Sequence, residues 1–490
     1  AMPCTHAETW RVGAGTGYSL ADVQLLLKDQ GRIKPGDTIV IAAGVYDADA
    51  GIDNNSFAFN NFRGEVGKPV VIKGELESDR PKLTGGISLN NSHHVKIENL
   101  DVSRQDRRDK YAAVAVSNGS SHIEISHLSV HHADVGVSFT DPGRGNWLRY
   151  SHIFRNDNHG VTSSLKSHKA LNKPTSEADI SLIESNRIEE NGAHGIDLEA
   201  SYWRVQKNRV LGNGWAYGGT SGIHLFSQND TNADDVDCDY NEIFYNYVTG
   251  QEDDKLFDGN GIQIDHFCDN NVLAFNAVKN NDGAGISLLV GRNNIIHSNT
   301  SYHNAQHKNR AAGAYRGEII LISEEKICPN DVNGQCIAPM VTIPAQRGSG
   351  NEIYDNIVVT DQYDVPGIHV TEDFKNQKRN KNFLYVNWYS VTDQGAPLRW
   401  GDDSTWDIDG KTVPGNILAP VSFVDPSADS VEGLRLAAVA PNQNLGWQAE
   451  KRRADMGGLF PLPEGQGQTT NWGAFYLCSS NGSTVPCSNK

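Results

Sequence analysis

The sequence predicts an all-β chain wound as a right-handed parallel β-helix, with a capping helix at its N-terminal end and a loop-rich cap at its C-terminal end. Three observations predict it. From about Val95 a short run recurs, read in turn as HVKIENLDV, HIEISHLSV, ISLIESNRI, NEIFYNYV, NVLAFNAV, NIIHSNTSY and NEIYDNIVV. Most of these are followed by a turn and a second short run opened by Gly: HGVTSS, HGIDLEAS, SGIHLFSQ, NGIQIDHF, AGISLLV and GEIILIS. The units return at intervals of roughly 20 to 35 residues, the span of a solenoid repeat. Both runs alternate apolar and polar residues, as strands with one buried face do. The residues between them are Asn, Asp and Gly, which tolerate left-handed turns, and no long helical pattern intervenes to build βαβ units.

The elements follow in order. SLADVQLLLKD, Ser19 to Asp29, has a Leu-rich face and is expected to be the amphipathic helix that caps the first coil and hides its open edge. The solenoid is expected to run to about residue 390. The Asn that ends many first runs (Asn186, Asn208, Asn246, Asn276, Asn299, Asn356) is expected to stack as an amide ladder inside the turn, a structural role. Residues 391–490, richer in Trp, Pro and Gly, are expected to form a cap and loops packed on the solenoid.

Composition narrows the function. A net charge of −17 argues against a nucleic-acid partner, which needs a basic stripe to displace counterions. No apolar stretch approaches the ~20 residues that span a bilayer, so no membrane partner is expected. The first residues lack the charged start and apolar run of a signal peptide, so any signal has been removed. The seven cysteines include no CxxC pair, which favours disulfides and a secreted or periplasmic chain over zinc or redox chemistry. Cys328 with Cys336 and Cys478 with Cys487 could each close a short loop, leaving Cys4 as the odd one. Aligning Asn241 with Asn271 and Asn246 with Asn276 puts Cys238 and Cys268 on equivalent positions of consecutive coils, about 4.8 Å apart. They should be bonded or in contact.

Registering the Gly-initiated strands exposes two outward columns. Residues one and three after Gly are mostly Ile, Val or Leu and point inward, so those two and four after it point out. The first column reads Thr162, Asp197, His224, Gln263, Ser287, and the second Ser164, Glu199, Phe226, Asp265, Leu289. Asp197, Glu199, His224, Gln263 and Asp265 are expected on one patch with His266 at its edge. Three acids and a His suit the cleavage of a glycosidic bond, and Phe226 offers a platform for a sugar face. Against this stands the reading of each as an ordinary solvated residue on an exposed sheet. His159 and His194, each just before its Gly, either extend the patch toward substrate or hydrogen-bond in a turn.

PGDTIVIAAGVYDA, GKPVVIKGE, KLTGG and HVKIENLDV resemble the first coils of pectin-lyase-like β-helix enzymes, among them alginate, chondroitin and pectate lyases. The resemblance covers about the first hundred residues and implies the fold and carbohydrate chemistry. Finer comparison departs from the lyases. The strand that resembles the catalytic one of polysaccharide lyase family 9 is GNGIQID, where the catalytic Lys falls on Gln263, and the calcium aspartates fall on His194 and His224. Asp197-x-Glu199 resembles the calcium-holding pair of family 6, but the basic residue five positions on is Arg204. The motif of alginate epimerases is absent.

With carboxylates present and a basic proton acceptor missing, the expectation is a secreted polysaccharide-cleaving enzyme, a hydrolase rather than a lyase. Asp197, Glu199, Asp265 and His224 are its expected catalytic residues, and Gln263, Phe226, His266, His194 and Arg204 its substrate-binding ones. Glu199 and Asp265, two coils apart, would sit ~9 to 10 Å from each other, near the carboxyl spacing of inverting glycosidases. A polysaccharide lyase and a noncatalytic glycan-binding solenoid are the alternatives. No cofactor and no catalytic metal are expected, although Asp234, Asp235, Asp237, Asp239, Asp253 and Asp254 could bind calcium structurally. A monomer is expected.

Overall fold

The computed structural model describes residues 7–48, 56–104, 111–165, 173–227, 238–253, 258–307, 316–322, most of 348–370, 420–430 and 432–434, with the backbone of short strands elsewhere. The chain forms two compact units, Ala1–Tyr217 and Gly218–Lys490. In each, every coil gives one strand to each of three parallel sheets. His93–Glu98, Asp101–Ser103 and Ala112–Ser117 make one coil of the first unit. Glu242–Phe244, Tyr247–Thr249 and Asn260–Ile264 make one of the second. The runs that read as single strands are therefore two, folded about a corner. HVKIENLDV bends at Asn99, whose φ is 58°, and alternation survives the bend because the inward side stays inward.

The corner follows a rule the sequence does not announce. The residue before each ladder Asn is left-handed: Ser185, Lys207, Tyr245, Phe275, Ser298 and Asp355 all have φ between 54° and 58° except Phe275 at 61°. A non-glycine residue there costs on the order of 1–2 kcal/mol, so the ladder has to offset it. In the first unit Asn186 Nδ2 donates to Asn208 Oδ1 at 3.0 Å. In the second, Asn246, Asn276, Asn299 and Asn356 are linked amide to amide at 3.0, 3.0 and 3.1 Å. These amides are fully or almost fully buried, and each satisfies backbone groups that would otherwise be buried without partners.

Inside, the alternating columns are Ile, Val and Leu. Ile196, Leu198, Ile223, Leu225, Ile262, Ile264, Ile286 and Leu288 are all completely buried, each worth about 1.5–3 kcal/mol relative to exposure. At the N-terminal end Leu20–Asp22 and Val23–Lys28 form the expected helix, the second stretch with π geometry. Ser19 and Asp22 make a reciprocal capping box that starts it. No described helix is long and apolar enough to cross a membrane.

Cys238 and Cys268 are disulfide-bonded with their α-carbons 5.0 Å apart, and the backbone N–H groups of Asn241 and Asn246 donate to the amides of Asn271 and Asn276. The coil alignment is therefore the one the sequence predicts. Backbone stacking continues past residue 390, where Leu398–Trp400 and Ile417–Leu418 pair parallel with preceding strands. Within the second unit, residues 423–429 pack on the coils: buried Lys279 donates to the carbonyls of Pro426 and Ala428 at 3.0 and 2.6 Å, and Tyr247 Oη to Asp429 at 3.1 Å. Cys4, Cys328 and Cys487 lie outside the described residues, as do the side chains of Cys336 and Cys478.

Candidate functional site

Of five strands, three carry Asp197, Glu199, His224 and Gln263, and Phe226, Asp265 and His266 follow directly on two of those. In the first unit, β1 is Val161–Ser164 and β2 is Ile196–Glu199. In the second, β3 is Ser221–Leu225, β4 is Asn260–Ile264 and β5 is Ile286–Leu289. Pairing of β1 with β2 sets Thr162 against Asp197 and Ser164 against Glu199. Pairing through β3, β4 and β5 sets His224, Gln263 and Ser287 in one row. Within each unit these rows are as the alternation requires.

Outward does not mean solvated. Asp197, His224 and Gln263 are only 8%, 7% and 3% exposed, and Glu199, Phe226, Asp265 and His266 are half-buried. A charge buried this far must find compensating partners.

In the second unit those partners are visible. His224 Nε2 and Gln263 Nε2 each lie 3.2 Å from Asp265 Oδ2. The other carboxylate oxygen accepts the backbone N–H of His266 at 2.7 Å, and the His266 ring Nδ1 lies 3.4 Å from it. Burial opposes the charge on Asp265, but His266, the His224 hydrogen bond and charge, and the His266 N–H outweigh it and hold the carboxyl down at about 2. Gln263 is held in turn: its Oε1 accepts from Ser221 Oγ at 2.5 Å and Asn260 Nδ2 at 2.9 Å, which turns its amide N–H toward Asp265. The Phe226 ring stacks beside His224 at 5.6 Å and lies 6.5 Å from His266. Asp265, His224, Gln263, His266 and Phe226 thus form one contiguous group.

In the first unit the structure brings His194 to Asp197 and adds His159. The two imidazoles are parallel, with centroids 5.2 Å apart and 6° between planes. One donor atom each from His159, His194 and Asp197 lies within 4.8 Å of the other two. Arg204 goes elsewhere. The bend at Ala200–Tyr202, with Tyr202 at φ 63°, carries the chain round a corner, so Arg204 sits on the next sheet opposite Leu182. There its Nη1 is 3.4 Å from Glu177, and it lines a hollow with Trp147, Arg149 and Gln206. Of the acids that could bind calcium, Asp234, Asp235, Asp237 and Asp254 lie outside the described residues. Asp239 and Asp253 are engaged with backbone N–H groups.

Ser221 and Asn260 were not among the predicted site residues. They occupy the position immediately before Gly that His159 and His194 occupy on β1 and β2, and that shared position was the available signal.

Fold and sequence define a right-handed parallel β-helix. A family model described as "Right handed beta helix region" matches residues 52–236. No curated protein matches the chain. Among solved structures, the chain is similar to the A-module of mannuronan C-5 epimerase AlgE6 from Azotobacter vinelandii, at 14% identity over 81% of this chain and 93% of that one, with a TM-score of 0.50. It is similar also to the AlgE4 A-module of the same organism (14% identity, 82% and 92% covered, TM-score 0.46) and to the pectate lyase Pel9A (14% identity, 89% and 90% covered, TM-score 0.44). At such identity the likeness is one of fold.

Proposed function

We propose that this chain is a secreted polysaccharide-cleaving enzyme whose bond-breaking chemistry is carried by Asp265 and His224. The observation that carries the reading is the half-buried Asp265, held in its charged form and hydrogen-bonded to His224 beside the half-buried ring of Phe226. This sets a carboxylate and a proton-carrying imidazole next to an apolar plate that suits one face of a sugar ring. The resemblance of the first coils to carbohydrate-active β-helices supports the same substrate class, and the Cys238–Cys268 disulfide supports an oxidising compartment.

Hydrolysis is the reaction we take first. With its carboxyl held near 2, Asp265 is not the proton donor at neutral pH. It serves as the counter-charge beside His224; His224 in its imidazolium form gives its proton to the departing glycosidic oxygen while a water adds to the anomeric carbon and releases its own proton to solvent. A second reading, β-elimination from a uronate-containing glycan, is favoured by one observation: His224 backed by Asp265 is also a proton acceptor, which Gln263 is not. Purified protein given a panel of neutral and acidic polysaccharides separates the two. New reducing ends without the ultraviolet absorbance of unsaturated uronates support hydrolysis. Both rising together support elimination. Glycan binding with neither product would overturn the enzyme reading in favour of a noncatalytic solenoid.

A further inference from the structure

We propose that His159, His194 and Asp197 form a binding site for one divalent transition-metal ion of the zinc class. The inference is independent of the reading of His224 and Asp265. The solenoid itself builds the arrangement: His159 and His194 stand just before the glycines of consecutive coils, and the backbone N–H of Gly160 donates to the His194 carbonyl at 3.0 Å. That bond holds the two rings one coil apart and parallel. Asp197 follows His194 by three residues, on the outward side of β2, and its carboxylate reaches the same point, all three donors lying within 4.8 Å of one another.

Donors bound to zinc at ~2.0–2.1 Å in tetrahedral geometry stand about 3.3–3.5 Å apart. Closing on an ion therefore asks for side-chain shifts of about 1 Å or so. The donor set chooses the ion. Two imidazole nitrogens and one carboxylate oxygen suit zinc, cobalt or nickel, whereas calcium takes about six to eight oxygens. His194 and Asp197 are buried and His159 is half-buried. The site thus has three protein ligands and one side reachable by solvent, the pattern of a centre that keeps a fourth position for water. Asp197 stands on a strand, and the ladder bond from Gly160 to His194 ties the two turns that carry the imidazoles.

The test uses the full-length, tag-free protein, stripped with a chelator and then titrated with zinc by calorimetry and with cobalt by visible absorption. The expected result is one equivalent bound, with the intense visible bands of four-coordinate cobalt and no displacement by excess calcium. His194→Ala and Asp197→Asn should each weaken zinc at least tenfold, and zinc should raise the melting temperature of the wild type more than that of either variant. Zinc-edge X-ray absorption of the wild type needs no variant, and two imidazole ligands are expected. Binding of equal stoichiometry and affinity in a His159→Ala/His194→Ala variant, displacement by calcium, or a zinc shell of oxygen alone would overturn the proposal.

Discussion

Asp265 holds a full negative charge although only 14% of its side chain meets solvent. Its stabilisation comes from groups that must all stay in place: the imidazoles of His224 and His266, the His266 N–H and the Gln263 amide. Asp265→Asn keeps the shape and removes the charge. Turnover on whichever glycan the wild type cleaves is expected to fall by about a hundredfold or more, the usual worth of a positioned proton-transfer group, while the circular dichroism stays that of the wild type. Full turnover in a folded variant would remove Asp265 from the chemistry. The sequence placed this residue in its column by alternation alone. It did not reveal the charge state, because that depends on partners fixed by packing: His224 comes from a strand 41 positions earlier.

At the scale of the element, the asparagine columns show what a stacked turn needs. In the second unit, Asn281 Nδ2 donates to Asn304 Oδ1 at 2.8 Å, and Asn304 in turn meets Glu318, from its own coil. This completely buried acid accepts from Ser301 Oγ at 2.8 Å and from the Asn304 side chain and backbone at 2.6 and 2.9 Å. Burial outweighs those bonds and pushes its carboxyl up to about 7. Between the ordinary value of about 4.3 and about 7 the folded chain binds the proton that the unfolded chain has released. Stability is therefore full below that window, falls as pH rises through it, and levels above it. Glu318→Gln supplies a neutral group of the same shape and is expected to flatten this slope, which for one group is about 1.4 kcal/mol per pH unit. Denaturant midpoints of both proteins from pH 5 to about 7.5 check it, and parallel curves would sink it. Buried Asp355, raised to about 8, should leave a residual slope in both. The ladder asparagines were legible in the sequence as a recurring residue at one turn position, whereas the left-handed residue before each was not. Ser, Lys, Tyr, Phe and Asp fill it, types that carry no common turn signal.

At the scale of the whole molecule, the Cys238–Cys268 bond closes a loop of sequence separation 30. Restricting the unfolded chain over such a loop is worth about 3–4 kcal/mol. The Cys238→Ala/Cys268→Ala variant is expected to lose that much in chemical denaturation, with the Asn246–Asn276–Asn299 stack still holding the coils in register. A loss below about 1 kcal/mol would mean that the ladder and core already restrict the unfolded ensemble around it.

Period-two alternation together with an Asn at one turn position was enough to specify coil register, inward and outward faces, and the pairing of the two cysteines. Those are local properties repeated in every coil, and a slip of one residue would turn every buried Ile and Leu outward. Packing decided what touches what. Arg204 rounds a corner away from Asp197, Gln263 is turned by Ser221 and Asn260, His159 joins His194 and Asp197, and Lys279 holds the segment around Pro426. Each of these depends on the direction of a side chain and on the depth at which its partner is buried, and neither is written in the pattern of one coil.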